Sequence, residues 1–277
     1  MGLKRKGVDW RSIGFYCASA SAAALIIGTV LIILGDIAWH GARQCTWRFI
    51  FGGTSQGMFD AAHAGIFPMI FGTVALVCLM TICVVPIGVV TAIYLREYAR
   101  PDSLTTRLIR GAINNLAGVP SIVFGLFGLG FFVQFVGGGI DRLFYDGGLN
   151  YGKPALIWAA ATMAVMTLPV MIVATEEALR AVPNGLREAS LALGATKLET
   201  LWKIVLPEAL PGTLTGSILA IGRGAGEVAP IMFTGAAYYL AHLPGKWTDQ
   251  FMHLGYHAFV LSTQSPDIER TKPILYG

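Results

Sequence analysis

Charge is the scarcest resource in this chain. Lys, Arg, Asp and Glu together make up 13% of 277 residues, where soluble domains carry about 25%. The formal net charge is only +4, and no basic run is long enough to suggest a nucleic-acid partner. No G-x-x-x-x-G-K loop followed by Ser or Thr is present, so ATP, if it is used, binds another chain. Four cysteines give no disulfide framework: Cys17, Cys78 and Cys83 fall inside apolar runs and Cys45 stands alone outside them, which predicts small packing residues. Among five histidines, His253 and His257 share the i, i+4 spacing of half a metal site, but no second pair of ligands lies near. Tyr256 and Phe259 beside them suggest an interfacial helix. No constellation of acid, base, nucleophile and metal emerges, so the sequence does not predict an enzyme.

What fills the chain instead is apolar length. Hydrophobic residues account for 55% and the mean hydropathy is +0.63. A helix needs about 20 apolar residues to cross a bilayer. Five such runs are predicted, at Phe15–Trp39, Ile66–Leu95, Ile113–Gly137, Pro154–Thr175 and Pro211–Leu240. The basic head MGLKRKGVDWR precedes an apolar run too long for the core of a cleaved signal, and is read as a cytoplasmic amino terminus, residues 1–14, before a retained anchor. With that end inside, twelve Lys and Arg lie in inside segments and seven outside, with Arg223 alone within a span; the bias favours a cytoplasmic amino terminus.

One segment breaks the apolar pattern. Residues 176–210 form a predicted inside loop between the fourth and fifth runs, with the punctuation of two short helices. Pro183 suits a first helical turn, and Gly194 suits a left-handed cap. Thr196 with Glu199 three residues on is a capping box, and Pro207 and Pro211 are expected to end the second helix. In the first helix Leu186, Ala189, Ser190 and Leu193 recur at helical spacing, and small residues at Ala189, Ser190, Ala192, Gly194 and Ala195 allow close approach to another surface. Physics alone leaves two uses open: a hairpin lying on the bilayer or its own bundle, or an arm docked on a partner.

A resemblance chooses between them. Glu188, Ala189 and Ser190, three residues, Gly194, nine residues, then Ile204, Val205, Leu206 and Pro207 resemble the EAA motif of ABC importer permeases, E-A-A-x3-G-x9-I-x-L-P, with Ser for the second Ala. In that family the motif forms a coupling helix seated in a groove of the ATP-binding subunit. NNLAGVPSIVFGLFGLG at 114–130, EALRAVPNGLREASLALGAT at 177–196 and GRGAGEVAPIMFTGA at 222–236 are similar to phosphate-specific permeases of the PstA type. The similarity runs from about Gly65 to the end, making 66–277 the expected permease core, while 39–64 resembles nothing informative. The resemblance implies an all-α polytopic membrane protein with the transmembrane fold of a type I ABC importer. It also implies a second, PstC-type permease, two ATP-binding subunits that carry ATP and Mg, and an extracytoplasmic phosphate-binding protein; this chain itself would bind no cofactor. Another oxyanion such as sulfate, molybdate or phosphonate, or a scaffold or sensor that does not transport, are the rival functions.

Arg223 is the expected centre of the substrate path. An arginine within a span costs roughly 2.5–3.5 kcal/mol on insertion scales and should face protein or water. Glu227 follows at i, i+4, where side chains of a helix meet, and a guanidinium matches phosphate oxygens in bidentate fashion. A permanent pair that fixes helix register is the alternative; the family implicates an Arg and a Glu at these positions in phosphate passage. Val228 departs from the Thr more usual in the family. Gly212 with Gly216, and Gly222 with Gly226, form small-xxx-small pairs, and Pro230 is expected to weaken the helix beyond them. Asn114, Asn115, Pro120 and Ser121 are placed in the third span, with Asn115 and Ser121 as either path lining or packing groups. The outside loops, about 39–65, 138–153 and 241–272, are the expected landing surface for the binding protein. At the carboxyl end Thr271 and Pro273 look like the opening of another helix, so the family's sixth span is expected beyond the chain end.

Overall fold

The computed structural model describes residues 10–54, 59 and 64–277, with no side-chain description for Trp10, Arg11, Ser12, Ile268 and Arg270. The basic residues Lys4, Arg5 and Lys6, and residues 55–58 and 60–63 of the first outside loop, lie outside the described residues. Among those described, helices dominate and the single β feature is a bridge between Ala236 and Phe251. Eleven helical elements organise them: α1 (Trp10–Gly41), α2 (Trp47–Phe51), α3 (Phe67–Tyr98), α4 (Leu104–Ala117), α5 (Ser121–Phe144), α6 (Leu156–Ala181), α7 (Asn184–Ala192), α8 (Lys197–Gly226), α9 (Ala229–Thr234), α10 (Leu254–Thr263) and α11 (Ile268–Tyr276). Helices α1, α3, α5, α6 and α8 are each long and apolar enough to cross a membrane.

Burial ranks these five. Two thirds of the apolar window of α6 is buried, against 28% in α3, α5 and α8 and none in α1. Helix α6 is therefore the axis, with α3 and α8 packed along it and the core built from Leu76, Met80, Val84, Met163, Met171 and Ala220. Its own sequence explains the position: Ala159, Ala160, Ala164 and Ala178 keep it thin enough for neighbours to close on several sides. Helix α1 stands outside the bundle and meets the rest chiefly at α11, where the His40 and Tyr276 rings lie 5.6 Å apart.

Two of the five predicted spans shift. The third begins at Ser121, because Gly118 and Pro120 break the chain after α4, which is a separate amphipathic helix carrying Asn114 and Asn115. The fifth runs from Lys197 to Gly226 instead of Pro211 to Leu240. Pro207 and Pro211 do not end the hairpin's second helix; they lie within the continuous α8. The reason is a π turn at Leu201–Val205, where the Leu206 N–H reaches back to the Leu201 carbonyl. The donor missing at Pro207 falls where the ladder is already changing register, and Pro at a first turn costs little. Beyond Gly226 the chain is extended at Glu227, and Pro230 opens a new short helix, α9, that returns against α5.

At the end of the bundle remote from the hairpin, loops close over the start of α6. The N–H groups of Ala155, Leu156 and Ile157 donate to the carbonyls of Thr234, Asp249 and Trp247 at 2.9, 2.9 and 3.0 Å, which satisfies donors a helix start leaves orphaned. Asp141, buried at the end of α5, accepts from the N–H groups of Asn150, Tyr151 and Gly152 and so fixes the loop after it.

Candidate functional site: a coupling hairpin and an arginine pocket on one helix

The hairpin keeps its predicted chemistry. Pro183 is the residue before α7, and Gly194 has φ +88, the left-handed conformation that ends α7. Thr196 and Glu199 form the reciprocal capping box at the start of α8. Glu188 and Ala189 are exposed, as are Leu191 and Leu193, so the outer face of α7 has no cover among the described residues. Ser190 is half-buried, its hydroxyl 2.9 Å from that of Thr200, which ties the two arms together. Ala195 donates its N–H to the Ser190 carbonyl at 3.2 Å. Ile204 and Leu206 are half-buried near the π turn while Pro207 is exposed.

Ion pairs that sequence spacing could not reveal anchor this hairpin. Arg187 pairs with Glu97 and donates to the Leu179 carbonyl at 2.6 Å. The Lys197 ammonium donates to the Glu97 carbonyl and lies 4.9 Å over the Tyr98 ring. Arg110 donates to Glu176 at 3.0 Å. Each joins residues 66 to 100 positions apart in the chain; the only sequence signal was opposite charge within a charge-poor protein.

Arg223 lies three residues before the end of α8. Its side chain is 60% exposed, and its Nε is 3.9 Å from Glu227 Oε1, with Glu227 only 25% exposed. Glu227 is not on the helix but on the extended residue that follows it, so the pair spans the break. Arg223 also borders a cavity of about 50 Å³ lined by Leu116, Ala117, Val119, Ser121, Phe124, Met166, Pro169 and Val170. Ser121 and Arg223 are thus brought together; Asn115 is exposed on α4 and is not among the lining residues. Pro169 lacks the N–H that would serve the Val165 carbonyl, so α6 is weakened at the pocket wall. The cavity has room for a few waters, and an oxyanion requires it to widen.

The glycine pairs divide. Gly212 and Gly216 face Ala178 and Ala174, where an added Cβ would come within 2.8 and 2.4 Å of the alanine Cβ atoms. Gly222 and Gly226 meet nothing within 4 Å; Gly224 instead packs on Met80 and Thr167. Of the cysteines, Cys83 is half-buried against the core, but Cys17, Cys45 and Cys78 are exposed, so the packing role fits one of four. His253 and His257 are buried, at 1% and 7% exposure.

A polar hairpin with an uncovered outer face thus runs, through one helix, to a charged residue in a bundle of helices long and apolar enough to cross a membrane. Residues 84–252 match the family model of the binding-protein-dependent transport system inner membrane component, and the chain belongs to that family. It is a multi-pass membrane permease subunit of the ABC transporter class. Phosphate transport system permease protein PstA 1 of Mycobacterium tuberculosis is 37% identical over 231 residues, covering 83% of this chain and 70% of that one. Probable ABC transporter permease protein YqgI of Bacillus subtilis is 35% identical over 234 residues, 84% of this chain and 72% of the relative. PstA 2 of Mycobacterium bovis is 34% identical over 251 residues, 90% and 74% of the two chains. In fold, a solved inward-facing structure of the MetNI methionine ABC transporter aligns with TM-score 0.53 at 20% identity, covering 76% of this chain and 87% of that chain.

Proposed function

We propose that the chain is the permease subunit of an ATP-driven phosphate importer, moving inorganic phosphate inward by alternating access. The observation that carries this is the single helix α8, which begins in the coupling hairpin and carries Arg223 in its last turn. Thirty helical residues extend about 45 Å, so displacement of the hairpin reaches the arginine through one continuous helix whose only register change, the π turn Leu201–Val205, lies at the hairpin end. The relatives named PstA supply the substrate, and a guanidinium beside a carboxylate supplies the chemistry: phosphate competes with Glu227 for Arg223, and Glu227 limits how tightly the anion is held. The exposed flank of Arg223 is the side that a second permease completes.

The exposed small-residue face of α7, from Ala189 to Gly194, seats in the ATP-binding subunits, two per transporter, where ATP and Mg are held. An extracytoplasmic phosphate-binding protein docks on the opposite loops. Their lining of a cavity of about 530 Å³ by Tyr145, Asn150, Tyr151, Lys246 and Trp247 supports that placement. The Lys and Arg distribution supports a cytoplasmic side for the amino terminus and the hairpin. The test is Arg223→Gln in the assembled complex: labelled-phosphate uptake is expected to be abolished while the complex still purifies intact. Unchanged uptake would overturn the proposal, and competition with sulfate, molybdate and phosphonate assigns the anion.

A further inference from the structure

Two ion pairs, one on the hairpin and one at its base, converge on one turn of backbone. Arg110 of α4 donates through Nη1 to Glu176 Oε2 at 3.0 Å, while Nη2 sits 2.9 Å from Oε1 and donates to the Leu95 carbonyl at 3.3 Å. Two residues along, within the same π turn Tyr94–Tyr98 that closes α3, Glu97 pairs with Arg187 of α7 and its carbonyl accepts from Lys197 of α8. The Glu176 side chain is 11% exposed. A carboxylate so enclosed needs a counter-charge, and Arg110 supplies it: Oε2 accepts the hydrogen bond, while Oε1 lies within ion-pair distance of Nη2 but accepts no hydrogen bond.

Sequence position gives these contacts their meaning. Arg110 lies two helical turns before Leu116 and Ala117, which with Val119 and Ser121 form the α4 side of the arginine pocket. Glu176 lies two turns after Pro169 and Val170, which form the α6 side, and α6 then leads into the hairpin. The Arg110–Glu176 pair therefore bridges the two helices that carry the pocket walls, about two turns along each from the lining residues. The Leu95 carbonyl joins that bridge to the turn on which the hairpin is pinned. A π turn is a common device where a helix changes register at a functional position.

We propose that Arg110, held by Glu176 and the Leu95 carbonyl, is a positioning residue of the transport cycle. It makes the α4 wall of the Arg223 pocket follow the coupling hairpin, alongside the direct route through α8. The role rests on the importer function proposed above, and Arg110 touches no phosphate. The pair is a strut: with it, both walls move together; without it, the hairpin moves and the α4 wall lags, so hydrolysis proceeds but the pocket does not open in step.

The test uses the complete transporter in proteoliposomes with phosphate-loaded binding protein, reading ATP hydrolysis and phosphate taken up per ATP. Arg110→Gln and Glu176→Gln are expected to keep hydrolysis and to lower the uptake-to-ATP ratio about tenfold, within the range of coupling between sites. Exchange of the charges, Arg110→Glu with Glu176→Arg, is expected to restore part of the ratio. Arg107→Gln, whose exposed partner Asp102 is 3.8 Å away, is expected to leave it unchanged. Arg110→Met with Glu176→Leu removes strut and buried charge together, so it assembles even where single variants do not, and is expected to remain uncoupled. A wild-type ratio in that double variant overturns the proposal, as does a proportional fall of uptake and hydrolysis in the single variants. If Arg223→Gln abolishes uptake while the Arg110 variants keep the wild-type ratio, the strut alone is wrong; if Arg223→Gln has no effect, the pocket is wrong as well.

Discussion

Arg223 and Glu227 sit 3.9 Å apart, the arginine Nε reaching across the end of α8 to a carboxylate on the extended residue beyond it. A contact that long, made to a residue outside the helix, is suited to the anion exchange proposed above. Gly194 is the opposite kind of residue, fixed by conformation alone. Its φ of +88 is left-handed, and nothing lies within 4 Å of where a Cβ would be. Gly194→Ala is therefore expected to destabilise the hairpin by about 1–2 kcal/mol through backbone strain. It would lower the melting temperature slightly and weaken crosslinking from the α7 face to the ATPase much more. Gly222→Ala, also in open space but within a helix, is the control, and a glycine replaced there gains helix propensity. Equal effects of the two substitutions on crosslinking would refute the assignment of Gly194 as the hairpin's cap.

Between helices, the close approach of α8 to α6 rests on Gly212 and Gly216 opposite Ala178 and Ala174. Gly216→Val is expected to force the helices apart at a cost of about 1–3 kcal/mol, read as a lower melting temperature in detergent. Gly226→Val, open on all sides, should not show this packing loss. The small-xxx-small pattern could locate both glycine pairs but not distinguish them, because which face meets a neighbour depends on the rotation of α8, and the π turn at Leu201–Val205 resets that rotation. The same turn explains the misplaced fifth span: proline arithmetic sees missing donors and not the register change that absorbs them. By contrast, the Thr196–Glu199 box and the Gly194 cap were legible because their chemistry is complete within a few residues. Arg223 was legible because a charge inside an apolar run is costly wherever it falls. The Arg187–Glu97 and Arg110–Glu176 pairs were not, since each joins helices whose proximity exists only once the bundle has formed.

Across the whole molecule, the end opposite the hairpin is held by apolar packing and loop hydrogen bonds, and it buries two histidines. His253 lies beside the Phe251 ring and close to Gly255, with neither ring nitrogen partnered; His257 Nδ1 is likewise unpartnered. Burial pushes both from 6.5 down to about 4, because a charged imidazole loses its hydration there without gaining an acceptor. Above pH 6.5 both histidines are neutral whether the chain is folded or not, and their neutrality costs nothing. As the pH falls from 6.5 towards 4, the unfolded chain takes up protons that the folded chain refuses, so stability declines, by at most about 3 kcal/mol per histidine. Thermal unfolding of the purified protein is therefore expected to shift to lower temperature between pH 6.5 and pH 4.5. His253→Leu with His257→Leu should flatten that part of the profile while leaving carboxylate titrations at lower pH in place. An unaltered slope in the double variant would place the acid sensitivity elsewhere. The loss should begin at the loop end, since Thr73 and Leu254, joined by a 3.0 Å hydrogen bond, hold α10 on α3 beside these rings. Hydrogen exchange at residues 251–263 should then rise with acid before exchange in α6 or the hairpin does.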